Sequence, residues 1–271
     1  MAKILAVSSY VASGSVGLAA IVPTLQAFGH EVIAVPAVVL SNHYGYANVG
    51  VSDVDPAEME AIFAALEANG VLADVASVLT GYFPSDAHVA VAAKLVGDLK
   101  TQSPGLTYLC DPVLGDDPGG LYVAKDAAIA IKTELVGQAD ILTPNRFELS
   151  WLSGLDVDST ASALDASASL PPPLVTATSI PEDRSTIANT FSAGGDDGHT
   201  STPRLAKAAH GTGDLYAAMI LGHLLDGYST KEAVLAATAG VAHVVEASGS
   251  AAELQLIASL SEAVQRSRKV R

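Results

Sequence analysis

Cysteine is almost missing from this chain: Cys110 is the only one in 271 residues. An internal disulfide framework is thereby excluded, and the usage fits a reducing cytoplasm. Cys110 lies in an apolar, strand-like run, where a small buried residue is expected rather than a nucleophile. Long hydrophobic runs are missing too. No stretch reaches the roughly 18 uninterrupted apolar residues of a membrane span. The opening MAKILAVSSY has too short an apolar run for a signal peptide and reads as a first buried strand. Bases are scarce, 14 Lys and Arg against 29 Asp and Glu, for a formal net charge of −15. That balance argues against nucleic acid, which needs clustered Lys and Arg. A polyphosphate ligand would have to draw positive charge from a divalent metal and helix dipoles. Several catalytic signatures are also lacking: the Walker G-x-x-x-x-G-K-S/T, G-x-S-x-G and H-E-x-x-H. The turn with Gly14 and Gly17 follows a strand and precedes a helix. A full dinucleotide fingerprint needs a third glycine, however, and position 12 is alanine.

What is present is material for a large core, 49% hydrophobic with a mean hydropathy of +0.36. Residues 3–9 and 32–40 are continuous apolar runs without helical period, separated by a turn and a helical stretch reaching Gly29, interrupted at Pro23. Continuous runs signify strands buried on both faces. A long loop is expected over 41–55. The rhythm repeats, with strands over 75–79, 107–113, 140–143 and 174–178. Helices alternate with them over 56–69, 86–100, 126–138, from Asn145 and over 159–169. Asp55-Pro56-Ala57-Glu58 combines a cap, a first-position proline and an acid at the third position. Beyond this the rhythm changes. Residues 184–192 and 200–205 read as strands joined through Gly194-Gly195-Asp196-Asp197-Gly198, an antiparallel edge near 184–205. Helices over 213–225, 230–247 (capped by Ser229 with Glu232) and 252–268 finish the chain. The alternation predicts an α/β fold, a doubly wound, mostly parallel sheet between helix layers, in one domain over 1–271.

Chemistry concentrates in His210-Gly211-Thr212-Gly213-Asp214, which opens an apolar helix. Glycines let backbone N–H groups converge, and a helix N-terminus adds partial positive charge, so an anion is welcome there. Asp214 sets a carboxylate beside that cradle, as a kinase needs to take a proton from a hydroxyl. The stretch also reads as an ordinary capped helix start. Further acids stand at expected strand ends: Asp111 and Asp116 in Cys110-Asp111-Pro112-Val113-Leu114-Gly115-Asp116, and Glu148 three residues after Asn145. In a doubly wound sheet, strand C-termini form the ligand crevice. Asp111, Asp116, Asn145 and Glu148 therefore face one space, where carboxylates, water and phosphate oxygens suit Mg²⁺. Taken singly, each is also an ordinary cap or turn residue.

Gly211-Thr212-Gly213-Asp214, together with D-x-x-T-P-N-x-x-E over Asp140 to Glu148, resembles the ribokinase superfamily of small-molecule kinases. Within it, four pieces are similar to the pyridoxal kinase family: Ser9 with Val11 and Gly14-x-Val16-Gly17; Ser41-Asn42-His43; Thr80-Gly81-Tyr82; and the segment from Cys110 to Asp116. The likeness runs over about 3–245 and is weakest over 155–205. It implies a three-layer α/β/α sandwich and ATP-dependent phosphorylation of the 5′-hydroxyl of pyridoxal, pyridoxine or pyridoxamine. By the same likeness Asp214 is the base, and the N–H groups of Gly211, Thr212 and Gly213 stabilise the transferring phosphoryl group. Asp111 and Glu148 hold Mg²⁺, Asn145 lies by the phosphates, and Thr178 and Ser179 line the ATP site. Ser9, Val16, His43 and Tyr82 enclose the vitamer. A monovalent cation, K⁺ or Na⁺, and a homodimer are implied by the family alone, whereas the cytoplasmic location agrees with the cysteine usage. Residues 41–55 and 115–122 are candidate lids. The chain departs from the pattern at Tyr10, Leu18 and Tyr44, which bear on ring contacts rather than on phosphoryl transfer. Two other readings stand beside this one: a hydroxymethylpyrimidine kinase, and a non-catalytic nucleotide-binding regulator on the same fold.

Overall fold

The computed structural model describes residues 1–204 and 209–270. The first half runs β1 (Lys3–Val11), α1 (Leu18–Ala27), β2 (Glu31–Leu40), β3 (Val51–Asp53), α2 (Pro56–Ala68), β4 (Val75–Thr80) and α3 (Asp86–Gln102). It continues with β5 (Thr107–Cys110), β6 (Gly115–Asp116), β7 (Gly120–Leu121), α4 (Lys125–Ala130), β8 (Ile141–Leu142), α5 (Arg146–Ser153) and α6 (Thr160–Ala168). The last third holds β9 (Leu174–Pro181), β10 (Thr186–Ala193), β11 (Asp196–Pro203), α7 (Thr212–Leu225), α8 (Thr230–Ser248) and α9 (Leu256–Ser267). The main sheet has the order β11-β10-β9-β8-β5-β4-β1-β2-β3, nine strands among the described residues. The run from β9 to β2 is parallel, whereas β10, β11 and β3 are antiparallel to their neighbours. The strands β6 and β7 pair apart from it as a small hairpin.

The apolar runs are continuous because both faces of the sheet are covered. Leu5, Val7, Val78 and Tyr108 join Met59, Phe63, Val89 and Leu149 on one side. Their sequence neighbours Ile4, Ala6, Leu79 and Leu109 join Ile21, Leu215, Met219 and Leu260 on the other. With side chains alternating across the strand, each such residue buries in its own layer, worth about 1.5–3 kcal/mol for a large aliphatic group. The result is three layers, helix–sheet–helix. Helix α7 lies against α1 and α8 and is buried from Leu215 to His223. A 2.6 Å hydrogen bond between the hydroxyls of Thr176 and Tyr216 ties it to β9.

Several expectations need correction. Helix α1 is not interrupted: Pro23 lies inside it. Leu18, Ile21, Thr24 and Leu25 are buried against the sheet and α7, and the Thr24 hydroxyl donates to the Ala20 carbonyl at 2.7 Å, so packing outweighs the lost backbone bond. The 41–55 loop carries strand β3, which its short, fully exposed Val51-Ser52-Asp53 sequence did not announce. Residues 131–138 leave the α-helix, widening to a π-turn at Ile131–Leu135 and tightening to 3₁₀ at Val136–Gln138. Asp196, Asp197 and Gly198 belong to β11, leaving Gly194-Gly195 as a two-residue hairpin turn. Leu205, the expected end of that edge, lies outside the described residues. The caps fall where expected, with reciprocal Asp55/Glu58 and Ser229/Glu232 boxes. No helix among the described residues is long and apolar enough to cross a membrane.

Candidate active site

The C-terminal ends of β1, β4, β5, β8 and β9 open onto the start of α7. Gly211 caps that helix at φ +95, and a Cβ there would stand 1.8 Å from the Ser15 carbonyl oxygen. Only glycine allows the two backbones to approach so closely. Gly17, at φ +55, solves the same problem one turn away: a Cβ would lie 2.3 Å from the Ser9 carbonyl and 2.5 Å from its hydroxyl. The amide that Gly17 thereby brings forward donates to the Asp214 carboxylate. Ser9, Gly17 and Asp214 are thus drawn together by one glycine. Burial pushes the Asp214 carboxyl up to about 6, against the pull of the Gly17 amide and of its own N–H. Thr212 and Gly213 occupy the first turn of α7, with Gly213 exposed and nothing within 4 Å of its would-be Cβ.

Facing Asp214 are two more carboxylates, both buried. Asp111 follows β5 and accepts from the Thr143 hydroxyl at 2.9 Å. Its own burial, with Asp214 opposite, pushes its pKa up to about 8. Glu148 completes the reciprocal cap of α5: it accepts from the Asn145 N–H at 2.8 Å and the Leu114 N–H at 2.9 Å. Burial and then the Asp111 charge raise it well above the usual carboxylate range. The Asn145 side chain accepts from the Glu148 N–H at 3.0 Å and donates to the Gly115 carbonyl at 2.8 Å. It therefore joins α5 to the β6–β7 hairpin. The same residues serve as helix cap and as cluster, so the two sequence readings of Asn145 and Glu148 are compatible. Beside them, Thr178 bridges Asn145, its N–H reaching the Pro144 carbonyl at 2.9 Å. Ser179 next to it is exposed with φ +62, the only non-glycine in the left-handed region among the described residues. Such strain costs about 1–3 kcal/mol and gathers at functional sites.

The remaining sequence-derived residues stand on the other side of Asp214. Tyr82 and Val16 pack against the small cluster of Val11, Val38 and Leu40. The Tyr82 N–H donates to the Ser8 hydroxyl at 3.1 Å, and its phenol meets that of Tyr44 from the 41–50 loop. His43 is flanked by two rings, Tyr46 at 4.8 Å and His210 at 4.1 Å between centroids. Its Nδ1 accepts from the Gly45 N–H at 3.0 Å. Two residues were not read from the sequence. Tyr122, beside the hairpin and half exposed, has its phenol pushed up by local desolvation and then by the charges of Glu148, Asp214, Asp116 and Asp111. The Gly-rich segment before it was the available signal. Glu253, between α8 and α9, reaches the 41–50 loop from far along the chain, and no local pattern marks it.

Hard oxygen donors at Asp111 and Glu148, each raised by burial and by a like charge, suit a divalent cation completed by water and phosphate oxygens. Among the described residues no group of three His, Cys, Asp or Glu makes a protein-only cage. Cys110, fully buried and pushed up to about 12 by that burial, is no nucleophile. What the arrangement offers is a base beside a helix N-terminus, facing an acidic cluster on which a metal-bound polyphosphate fits. That is the equipment of phosphoryl transfer.

Comparison with known proteins agrees. The phosphomethylpyrimidine kinase family model matches residues 12–257. Pyridoxal kinase PdxY of Leifsonia xyli is 36% identical over 227 residues, 82% of this chain and 80% of its own length. The pyridoxal kinase structure from Entamoeba histolytica superposes with a TM-score of 0.91 at 31% identity, over 97% of this chain and 95% of that one. The Leishmania donovani pyridoxal kinase, in complex with ADP and pyridoxamine, gives 0.91 at 30% identity, over 98% and 96%. These neighbours share the ribokinase-like arrangement of a mostly parallel sheet between helices. The chain therefore belongs to the phosphomethylpyrimidine kinase family, and within it to the pyridoxal kinases.

Proposed function

We propose that this kinase transfers the γ-phosphoryl group of ATP to the 5′-hydroxyl of a B6 vitamer, giving the 5′-phosphate and ADP. The observation that carries the reading is Asp214 at the first turn of α7, held by the Gly17 amide and facing Asp111. In its charged form Asp214 accepts the hydroxyl proton as the oxygen attacks, and the bond from the γ-phosphorus to the bridging oxygen of ADP breaks. The N–H groups of Gly211, Thr212 and Gly213 point toward the charge that grows on the transferring group. Asp111 and Glu148 would hold Mg²⁺, which supplies charge neutralisation on the phosphate oxygens. Asn145, Thr178 and Ser179 line the ATP side. Ser9, Val16, His43 and Tyr82 line the vitamer side, where the π-deficient pyridine has the Tyr82 ring to stack on. The β6–β7 hairpin and the 41–50 loop flank the crevice, suited to keeping water from the reacting phosphoryl group.

A single catalytic domain over 1–271, a monovalent cation, a cytoplasmic location and a homodimer complete the proposal. Support for the dimer is β3, which pairs with β2 on one side only and leaves its other edge open among the described residues, with exposed Val51, Tyr44 and Tyr46 nearby. The family model keeps a second substrate in view, the hydroxymethylpyrimidine alcohol. ADP release with pyridoxal, pyridoxine, pyridoxamine and hydroxymethylpyrimidine, each run with Asp214→Asn as the control, tests the proposal. Turnover on the pyrimidine alone would replace the B6 reading, and no turnover on any substrate would leave a nucleotide-binding regulator.

A further inference from the structure

Glu253 reaches three separate pieces of chain, two through its carboxylate and one, at His210, through its backbone. Its Oε2 accepts from the Ser15 N–H at 3.2 Å, in the turn between β1 and α1. Its Oε1 accepts from the Tyr46 hydroxyl at 3.0 Å and lies 3.0 Å from His43 Nε2, without a well-aligned hydrogen bond to that nitrogen. Around it the backbone is fitted. A Cβ on Gly14 would come within 2.9 Å of Oε2, the Leu254 carbonyl accepts from the Ser15 hydroxyl at 3.0 Å, and Glu253 bridges His210, the residue before Gly211. A carboxylate only one-fifth exposed thus sits where the 41–50 loop, the Ser13–Gly17 turn and the approach to α7 meet.

We propose that Glu253 is a positioning residue for the vitamer side of the site, holding Tyr46 and His43 of the 41–50 loop against the Ser13–Gly17 turn. It touches no reacting atom. It acts through the loop, whose Tyr44 meets Tyr82, and through the turn, whose Val16 faces the same side. The inference rests on the reading of His43, Val16 and Tyr82 as vitamer residues. The contacts of Glu253 are with Ser15, Tyr46, His43 and His210, not with Asp111, Glu148 or Asn145, so its loss is expected to tell first on the vitamer side.

The test is steady-state kinetics of Glu253→Ala, Glu253→Gln and Tyr46→Phe on the full chain, with amide exchange across 41–50 alongside. Loss of charge-assisted hydrogen bonds predicts that Glu253→Ala raises KM for pyridoxal about tenfold, with kcat and KM for ATP within about twofold. Tyr46→Phe, an exposed change that leaves the core untouched, should raise KM for pyridoxal about threefold. Adding it to Glu253→Ala should change nothing further, because Tyr46 acts through Glu253. Glu253→Gln keeps one carbonyl acceptor and should recover part of the loss. Faster exchange over 41–50 in Glu253→Ala is expected whatever the substrate proves to be. That readout separates this inference from the vitamer assignment. Unchanged KM for pyridoxal together with unchanged exchange would overturn it. So would equal rises in both KM values, or full additivity of the double variant. Should Glu253→Ala fail to fold, Tyr46→Phe and Glu253→Gln decide by the same criteria.

Discussion

Arg146, the first residue of α5, grips Asp117 of the β6–β7 hairpin with its Nε and one terminal nitrogen, one on each carboxylate oxygen. Its other terminal nitrogen donates to the Val157 carbonyl at 2.9 Å. The hairpin that carries Asp116 and leads to Tyr122 is therefore fastened to the helix that Asn145 caps and on which Glu148 sits. Bidentate pairing gives geometry as well as energy, and that geometry belongs to the nucleotide side of the crevice.

Arg146→Ala and Asp117→Ala should accordingly raise KM for ATP by about three- to tenfold, with KM for pyridoxal nearly unchanged. Because the pair is partly exposed, each variant should cost under about 1 kcal/mol of stability in denaturant unfolding. The difference in KM between variant and wild type should shrink as salt rises, since salt screens the exposed pair that only the wild type has. Equal loss for both substrates would mean that the pair merely supports the fold.

Asp214→Asn removes the proposed base while keeping its size. Turnover should fall by about 10²–10⁴-fold, with ATP binding by calorimetry retained. Burial holds the Asp214 carboxyl at about 6, and the charged form is the one that accepts a proton. For the wild type, kcat/KM for the vitamer should therefore climb as pH rises through about 6 and level off above it. An Asp214→Asn protein with near-normal turnover would remove Asp214 from the mechanism.

How much of this was legible beforehand depends on the range of the forces involved. The doubly wound sheet was readable because two-sided burial leaves unbroken apolar runs such as Val32 to Leu40, and the caps because Asp55 and Glu58 act within one turn. Gly14 and Gly17 were visible as a turn. That Gly17 answers to the Ser9 carbonyl and presents an amide to Asp214 is a contact between distant segments, and no local pattern encodes it. Pro23 stays inside α1 against its local preference for a related reason: packing against the sheet overrides it. Glu253 is the extreme case, bonding Ser15 across 238 positions. Strand β3 carries no burial signal at all, since Val51, Ser52 and Asp53 are all exposed.

His223 gives a pH dependence unrelated to the site. It is fully buried on α7 beside Phe28 and Tyr228, its Nε2 3.0 Å from the Ser267 hydroxyl. Burial lowers its pKa from 6.5 to about 4. Between those values the unfolded chain binds a proton that the folded one refuses. The stabilising contribution is full above about 6.5 and drains away as pH falls toward 4. Denaturant unfolding at pH 7 and pH 5 should show wild type losing more stability than His223→Gln over the same interval. Identical slopes would mean that His223 does not couple protons to folding.

Gly211 and Gly213 separate structure from chemistry within one motif. At Gly211, φ +95 and the Ser15 carbonyl 1.8 Å from a would-be Cβ leave no room for a side chain. Gly211→Ala should lower Tm and activity together. At Gly213 a Cβ meets nothing within 4 Å, the residue lies in the first turn of α7, and alanine favours a helix by up to about 1 kcal/mol over glycine. By folding criteria alone, Gly213→Ala should therefore hold or raise Tm. If the open space above Gly213 receives the transferring phosphoryl group, the added methyl intrudes there, and kcat should drop while Tm does not. Thermal melts and kcat measured on the same preparations check both halves. A Gly213→Ala enzyme with wild-type kcat would show that the phosphoryl group sits elsewhere.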